Sequence, residues 1–119
     1  MDTIQKGKWG EEIALRYLLN KGYTKVATGF RSRFGEIDII VKNSGFLVFT
    51  EVKLRKNARF AQAREYVGKE KQRKLAATAM LWLTRHKTKL QPRFDVIEIY
   101  ARDETAAPEI IHIEDAFQV

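Results

Sequence analysis

Apolar and polar residues recur with a helical period at the beginning of the chain. On a helical projection of residues 4–21, one stripe collects small and apolar side chains: Ile4, Gly7, Ala14, Leu15 and Leu18. The opposite side carries charged side chains: Lys8, Glu12 and Arg16. This pattern predicts an amphipathic helix that ends near Gly22, since glycine readily adopts the left-handed conformation that closes a helix.

Shorter apolar runs separated by glycine and asparagine predict three β-strands after this helix. The strands are expected at residues 23–31, 35–42 and 46–54. The tripeptide Asn43-Ser44-Gly45 between the last two is a strong signal for a hairpin turn. Residues 55–67 are basic and without a clear period, which predicts a mobile loop.

A second helical pattern covers residues 69–87 and is expected to end before Pro92. One face of it carries less polar side chains: Leu75, Thr78, Ala79, Trp82 and Leu83. Two further strands are predicted at residues 93–101 and 109–113. The order of elements predicts an α/β protein with a mixed central β-sheet flanked by helices.

Composition narrows the class of protein. A chain of 119 residues is expected to form a single domain over residues 1–119. It contains no cysteine, which excludes disulfides and zinc–thiolate sites. No apolar run is long enough for a signal peptide or a membrane span, so we expect a soluble, cytoplasmic protein without a membrane partner.

The chain is strongly basic, with a net charge of +7 and an isoelectric point near 9.8. A surplus of this size favours polyanionic partners such as nucleic acids. A soluble protein that is merely basic is the alternative, because net charge alone does not define a function.

Three charged residues interrupt the most apolar strands of the chain. Asp38 lies between Ile37 and Ile39, whereas Glu51 and Lys53 are two residues apart and therefore point to the same face. The predicted hairpin places Asp38 opposite Thr50 or Glu51, and the sequence leaves this register open.

Two neighbouring carboxylates at these positions would repel each other. The cost is about 1 kcal/mol at 4 Å in water and about 4 kcal/mol at an effective dielectric near 20. Mg²⁺ or Mn²⁺ would offset this repulsion, since both prefer hard oxygen ligands, and Lys53 could orient a water or a phosphate. The alternative is a water-facing strand on which such charges are common.

Glu11 adds a third carboxylate to this hypothesis. It falls in the middle of the apolar stripe of the first helix, where an ionised group is costly unless it is paired or binds a metal. We therefore expect Glu11 to lie beside Asp38 and Glu51, with capping of a loop or pairing with an arginine as the alternative.

Short motifs follow one another along nearly the whole chain: Gly7-x-x-Gly10-Glu11, Gly35-Glu36-Ile37-Asp38, Val48-Phe49-Thr50-Glu51-Val52-Lys53, Lys71-Gln72-Arg73 and Arg93-Phe94-Asp95-Val96. This order resembles the YraN-type family of small bacterial proteins, which is similar in fold to archaeal Holliday-junction resolvases. The resemblance implies a restriction-endonuclease-like core of the PD-(D/E)xK class. On that pattern Asp38 and Glu51 are metal carboxylates, Lys53 is the catalytic lysine and Glu11 is the helix-borne acid.

The chain departs from the pattern at two places. Ile37 precedes Asp38, where the superfamily pattern has proline. Ala61 and Ala63 stand in the basic loop where the family usually has glycine and proline.

Several polar side chains are candidates for binding nucleic acid: Arg31, Arg33, Arg55, Lys71, Gln72 and Arg73. Lys71 and Arg73 lie near the beginning of the second helix, where the helix dipole disfavours cations, and a phosphate contact would explain that placement. Lys71 and Gln72, on the inward side of this helix, are expected to line the cleft. A solvated basic surface is the alternative. Asp95 is expected to pair with Arg93 or with a helix end rather than to act in catalysis.

These features predict a metal-dependent endonuclease that hydrolyses phosphodiester bonds of DNA. The resemblance suggests branched DNA, such as a junction or flap, as substrate and a homodimer as the functional unit. One alternative is a non-catalytic nucleic-acid-binding protein. Another is a structural protein in which the same charges form a buried ion network.

Overall fold

The computed structural model describes residues 1–56 and 67–118 of the chain. Its elements are α1 (Thr3–Asn20), β1 (Thr24–Ser32), β2 (Gly35–Lys42), β3 (Phe46–Arg55), α2 (Lys69–Arg85), β4 (Gln91–Tyr100) and β5 (Glu109–Phe117). The α/β class is confirmed. Most of the predicted basic loop, with Ala61 and Ala63, lies outside the described residues.

The five strands form one sheet in the order β1-β2-β3-β4-β5. β3 and β4 are parallel and the other neighbouring pairs are antiparallel, so the sheet is mixed as predicted. α2 lies in the connection between the two parallel strands, which need a long crossover. The arrangement agrees with a restriction-endonuclease-like core.

α1 has well-formed ends. Asp2 caps its N-terminus, accepting a hydrogen bond from the Gln5 backbone N–H at 2.8 Å, while the Gln5 side chain bonds back to Asp2. Gly22, with φ of 103°, closes the C-terminus. There the Gly22 and Tyr23 N–H groups donate to the carbonyls of Leu19 and Leu18.

The apolar stripe of α1 is buried over a shorter length than its sequence suggests. Ile4 was expected to face the core, but it is 71% exposed. Burial begins at Gly10, where an added Cβ would lie 3.8 Å from Leu54 Cβ, and it continues through Ala14 and Leu18. The first two turns of the helix are therefore largely exposed.

Apolar side chains form one cluster on each face of the sheet. Val48 of β3 belongs to the cluster that contains Ala14 and Leu18 of α1, whereas Phe49 belongs to the cluster that contains Trp82 of α2. Because side chains alternate along a strand, odd-numbered residues of β3 face α2. This alternation sets the direction of the charged residues that follow Thr50.

Two boundaries differ from those expected. α2 ends at Arg85, several residues before Pro92, and Pro92 lies within β4. β5 extends beyond residue 113 because Phe117 stacks on Phe94 with ring centroids 4.9 Å apart, which anchors the end of this edge strand. Among the described residues, no helix is both long and apolar enough to cross a membrane.

Candidate metal centre

Three carboxylates converge where α1 crosses the sheet. Glu11 of α1 and Glu36 and Asp38 of β2 each offer an oxygen, and the three oxygens lie within 4.8 Å of one another. We call these residues the acidic triad. A pocket of about 310 Å³ lies against Glu11 and Asp38 and is therefore open to a ligand.

The local structure explains why these side chains meet. Glu11 follows Gly10, the residue through which α1 comes into contact with Val52 and Leu54 of β3. Glu36 lies two residues before Asp38, and side chains at this spacing share one side of a strand. Asp38 is fixed by its neighbour strand, because Val52 N–H donates a hydrogen bond of 2.8 Å to Asp38 Oδ2.

The hairpin pairing ends just before Asp38. The pairs run from Lys42 opposite Leu47 to Ile39 opposite Thr50. Beyond them the Asp38 side chain accepts from Val52 N–H and interacts with the Glu51 carboxylate through charge and a hydrogen bond, so the two carboxylates are neighbours.

The site holds more negative charge than its own groups neutralise. Burial, and then repulsion from Glu51, raises the pKa of Asp38 to about 8, against the opposing effect of the Val52 hydrogen bond. Hydrogen bonding with Glu51 and the charge of Glu11 raise it further. Burial and the charges of Glu36 and Glu51 also raise the pKa of Glu11. Proton uptake by Asp38 is therefore one way in which the metal-free site limits its charge.

Glu51 lies on the α2 side of the sheet and is nearly buried, with 6% of its surface exposed. Its Oε2 atom lies 3.8 Å from the Lys53 ammonium and 3.3 Å from the Lys71 ammonium. One lysine comes from the same strand and the other from α2. Two elements thus bring positive charge to one carboxylate oxygen.

The residues predicted for the catalytic site lie close together. Glu11 and Asp38 belong to the acidic triad, Glu51 acts on both through its charge, and Lys53 pairs with Glu51. Glu36 was not predicted as a site residue. Its spacing of two from Asp38 was the available signal, because strand periodicity places both side chains on one side.

The residues predicted to bind nucleic acid have different surroundings. Arg31 is 81% exposed and its Nε atom lies 3.2 Å from Glu36 Oε2, at the edge of the acidic triad. Arg33 is exposed and lies over the Phe34 ring, and Arg73 is exposed on α2. These three side chains remain accessible to a ligand.

Two other candidates are committed to contacts within the protein. Arg55 is partly buried, and its Nε atom lies 3.5 Å from the buried Glu98 carboxylate. The Gln72 side-chain amide donates to the Val67 carbonyl at 2.9 Å, just before α2. Both contacts stabilise the fold beside the site, so these side chains are less suited to gripping a phosphate than Arg31 or Lys71.

A second buried carboxylate, Asp95 of β4, is fully paired. Arg93 donates to both Asp95 oxygens at 2.8 Å, which confirms the expected pair. His112 Nε2 lies 2.7 Å from Asp95 Oδ2, and Asp115 N–H donates to Oδ1 at 3.0 Å. We call Arg93, Asp95 and His112 the Asp95 cluster. The role of His112 was not predicted, since β5 brings it from a distant part of the sequence.

The acidic triad and Glu51 fit a hard divalent cation. Their carboxylate oxygens are ligands that Mg²⁺ and Mn²⁺ prefer, and their mutual repulsion is relieved by a positive ion. Within residues 1–56 and 67–118, the acidic triad is the one group of three or more potential metal ligands that comes within binding distance. His86 instead stacks on Trp82, with ring centroids 3.7 Å apart.

Comparison with known proteins places this site in a family. The model of a family described as "Uncharacterised protein family UPF0102" matches residues 10–99, which include Glu11, Asp38, Glu51 and Lys53. The chain belongs to this family. The resemblance of its motifs to the YraN-type family is thereby confirmed.

Relatives named as UPF0102 proteins match the chain along nearly its full length. One from Thermodesulfovibrio yellowstonii is 42% identical, with 98% of this chain and 99% of the relative aligned. Another from Geotalea uraniireducens is 40% identical over 99% of this chain and 93% of the relative. A third, from Clostridioides difficile, is 37% identical over 98% of this chain and all of the relative. These names state no activity, so function must be argued from the site.

Proposed function

We propose that this UPF0102 protein is a metal-dependent endonuclease that hydrolyses phosphodiester bonds of DNA. One observation carries the proposal. The carboxylates of the acidic triad converge beside Glu51, and two lysines reach Glu51 from different elements. Such a site has ligands for a divalent cation next to donors for a phosphate.

Each residue has a defined part in this proposal. Asp38, Glu51 and Glu11 would hold Mg²⁺ or Mn²⁺. Glu36 would add a further carboxylate to this set. The cation supplies positive charge for the phosphate and makes water more acidic. Lys53 donates hydrogen bonds to a phosphate oxygen or to the attacking water. Asp38 must lose the proton that repulsion favours, because only the ionised form is a good ligand.

The reaction is an ordinary hydrolysis. The oxygen of water bonds to phosphorus while one phosphorus–oxygen bond of the DNA backbone breaks. The proton released by water is taken up by the leaving oxygen or by solvent. Positive charge on Lys53 favours the negative charge that builds on the phosphate during this exchange.

The finer form of the proposal concerns substrate and assembly. The similarity of the family's fold to that of Holliday-junction resolvases favours branched DNA and a homodimer, in which two sites cut two strands. Arg31, Arg33 and Arg73 are accessible to bind a DNA backbone near the site. Such contacts position DNA without reading its sequence.

A non-catalytic nucleic-acid-binding protein is the second candidate. The net charge of +7 and the exposed arginines support binding whether or not the acidic residues hold a metal. The ion pairs of Glu51 with Lys53 and Lys71 also favour a third candidate, a structural ion network. These candidates differ in what they require of Asp38.

The test is cleavage of labelled four-way junction, flap, duplex and single-stranded DNA. Wild-type protein and Asp38→Asn are incubated with Mg²⁺, with Mn²⁺ and with chelator. Asp38→Asn keeps an oxygen that can accept from Val52 N–H, so it removes charge with little change of shape. Glu12→Gln is the matched control, because Glu12 is exposed on the same helix as Glu11.

Cleavage that needs the metal, disappears in Asp38→Asn and survives in Glu12→Gln is the expected result. Binding without cleavage, equal in wild type and Asp38→Asn and weakened by salt, would instead support the nucleic-acid-binding protein. Neither binding nor cleavage, with reduced stability of Asp38→Asn, would support the ion network.

A further inference from the structure

Lys71 is half exposed, yet it contacts an almost completely buried carboxylate. Its side chain is 46% exposed, whereas that of Glu51 is 7% exposed. Its ammonium lies closer to Glu51 Oε2, at 3.3 Å, than the Lys53 ammonium does, at 3.8 Å. A single carboxylate oxygen therefore pairs with two cations. Of these, the half-exposed Lys71 ammonium can move into solvent without opening a cavity inside the protein.

The position of Lys71 in α2 is unfavourable in itself. It lies in the first turn of a helix that begins at Lys69, where the helix dipole repels positive charge. Gly68 at the N-cap offers no side chain to satisfy this helix end. Attraction to Glu51 offsets the repulsion, so Lys71 should withdraw once the charge of Glu51 is neutralised in another way.

Lys53 is less accessible to solvent than Lys71. Its side chain is 31% exposed, against 46% for Lys71. It also follows Glu51 by two residues on β3, so the two side chains leave the sheet on the same face. Lys71 is the cation of the two that can leave Glu51 at lower cost.

We propose that Lys71 is a displaceable counter-ion of the metal centre. In the metal-free protein its ammonium neutralises Glu51, and a divalent cation that took Glu51 as a ligand would displace it. The released ammonium remains at the beginning of α2, next to the site, where it can bind a phosphate oxygen of the substrate. This inference rests on the proposed function, because it takes Glu51 as a metal ligand.

Competition for Glu51 has a thermodynamic signature. Lys71→Met removes the competitor, so it should destabilise the metal-free protein and strengthen metal binding by a corresponding factor. If Lys71 pairs with Glu51 in both states, Lys71→Met should destabilise the protein equally with and without metal. The two cases are therefore distinguished by stability measurements that do not involve activity.

The experiment is thermal unfolding at pH 8 with chelator and across a Mn²⁺ titration. We expect Lys71→Met to lower the Tm by about 3 °C with chelator. The difference should vanish at saturating Mn²⁺, and the Kd for Mn²⁺, measured by calorimetry, should be about fivefold lower than in wild type. Lys71→Arg keeps the charge and should behave as wild type.

Lys69→Met is the matched control, since it removes an exposed lysine from the same helical turn. It should change neither the metal-free Tm nor the Mn²⁺ affinity beyond error. An equal gain in affinity from Lys69→Met would show a general charge effect and overturn the inference. An equal loss of Tm in Lys71→Met with and without Mn²⁺ would also overturn it.

Failure of the inference can be told apart from failure of the proposed function. If Mn²⁺ neither binds nor stabilises the wild-type protein, both the metal centre and the displacement are wrong. If Mn²⁺ stabilises wild type and Lys71→Met to the same extent, the metal centre stands and the displacement alone is wrong.

Discussion

Two carboxylates in the same sheet have opposite surroundings. Although burial alone would raise the pKa of Asp95, hydrogen bonds from His112, Arg93 and Asp115 N–H hold it below its usual value. Asp38 is also largely buried, but it accepts a hydrogen bond of 2.8 Å from Val52 N–H and otherwise faces acids, so burial and then repulsion from Glu51 raise its pKa to about 8.

The difference separates a structural role from a functional one. The chain supplies Asp95 with a guanidinium, an imidazole and a backbone donor, so this carboxylate is neutralised by the fold. It surrounds Asp38 with negative groups instead and leaves a pocket beside it. A site that the fold leaves incomplete is where an external cation is expected to bind.

The largest expected effect on stability comes from replacing Asp95, and it contrasts with the effect of replacing Asp38. Asp95→Asn should destabilise the protein by about 3–5 kcal/mol, because it leaves the largely buried Arg93 without its carboxylate. Asp38→Asn should leave the metal-free protein at neutral pH as stable as wild type or more stable, since asparagine is neutral and needs no proton uptake on folding. Urea denaturation of both variants measures the two free energies of unfolding.

The comparison would be broken by equal losses of stability in the two variants. Asp103→Asn is a suitable control, because Asp103 is exposed in the connection before β5 and touches neither cluster. It should leave the free energy of unfolding within about 0.5 kcal/mol of wild type.

The stability of the protein is also expected to depend on pH through Asp38. The folded pKa of Asp38 is about 8 and its unfolded value is near 3.8, so between these values the folded state binds more protons. The contribution of Asp38 to stability therefore falls as pH rises from about 4 to about 8 and is constant above. Asp38→Asn lacks this loss, so its stability relative to wild type should increase steadily across that range.

Metal should reverse this pH dependence. Because Mn²⁺ competes with the proton on Asp38, its affinity for wild type should rise with pH up to about 8. Calorimetry in chelator-free buffers at several pH values measures it. An affinity that does not change between pH 6 and 8 would show that Asp38 is already ionised in the metal-free protein.

Local sequence signals predicted most of the fold. The hairpin formed where Asn43 was expected to turn the chain, and its Oδ1 accepts from the Gly45 and Phe46 N–H groups at 2.9 and 2.8 Å. α1 ends at Gly22 for the reason that its sequence suggested. Such features depend on residues close in sequence, so they can be predicted without a structure.

Contacts between distant elements were harder to predict. The apolar stripe of α1 suggested burial of Ile4, but the first two turns of the helix are largely exposed, and periodicity does not show how far along a helix its packing extends. His112 reaches Asp95 only through the pairing of β4 with β5. For the candidate site, the motifs pointed to Asp38 and Glu51, whereas the place of Glu36 became evident from the crossing of α1 over β2.

The smallest effect on stability is expected from Glu36→Gln. Its partner Arg31 is 81% exposed, and exposed ion pairs contribute little, so the free energy of unfolding should change by less than about 0.5 kcal/mol. If Glu36 belongs to the metal centre, Mn²⁺ affinity should nevertheless fall by about tenfold, as when groups around a bound metal are altered. Calorimetric titration with Mn²⁺ measures this fall.

Arg31→Ala separates the ligand from the ion pair. It breaks the same contact with Glu36 but removes no carboxylate, so Mn²⁺ affinity should stay equal to that of wild type or rise slightly. Equal affinity in wild type and Glu36→Gln would restrict the metal centre to Glu11, Asp38 and Glu51. If Glu36→Gln lowers Mn²⁺ affinity without lowering stability, Glu36 resembles Asp38 rather than Asp95, because its carboxylate serves the metal centre and not the fold.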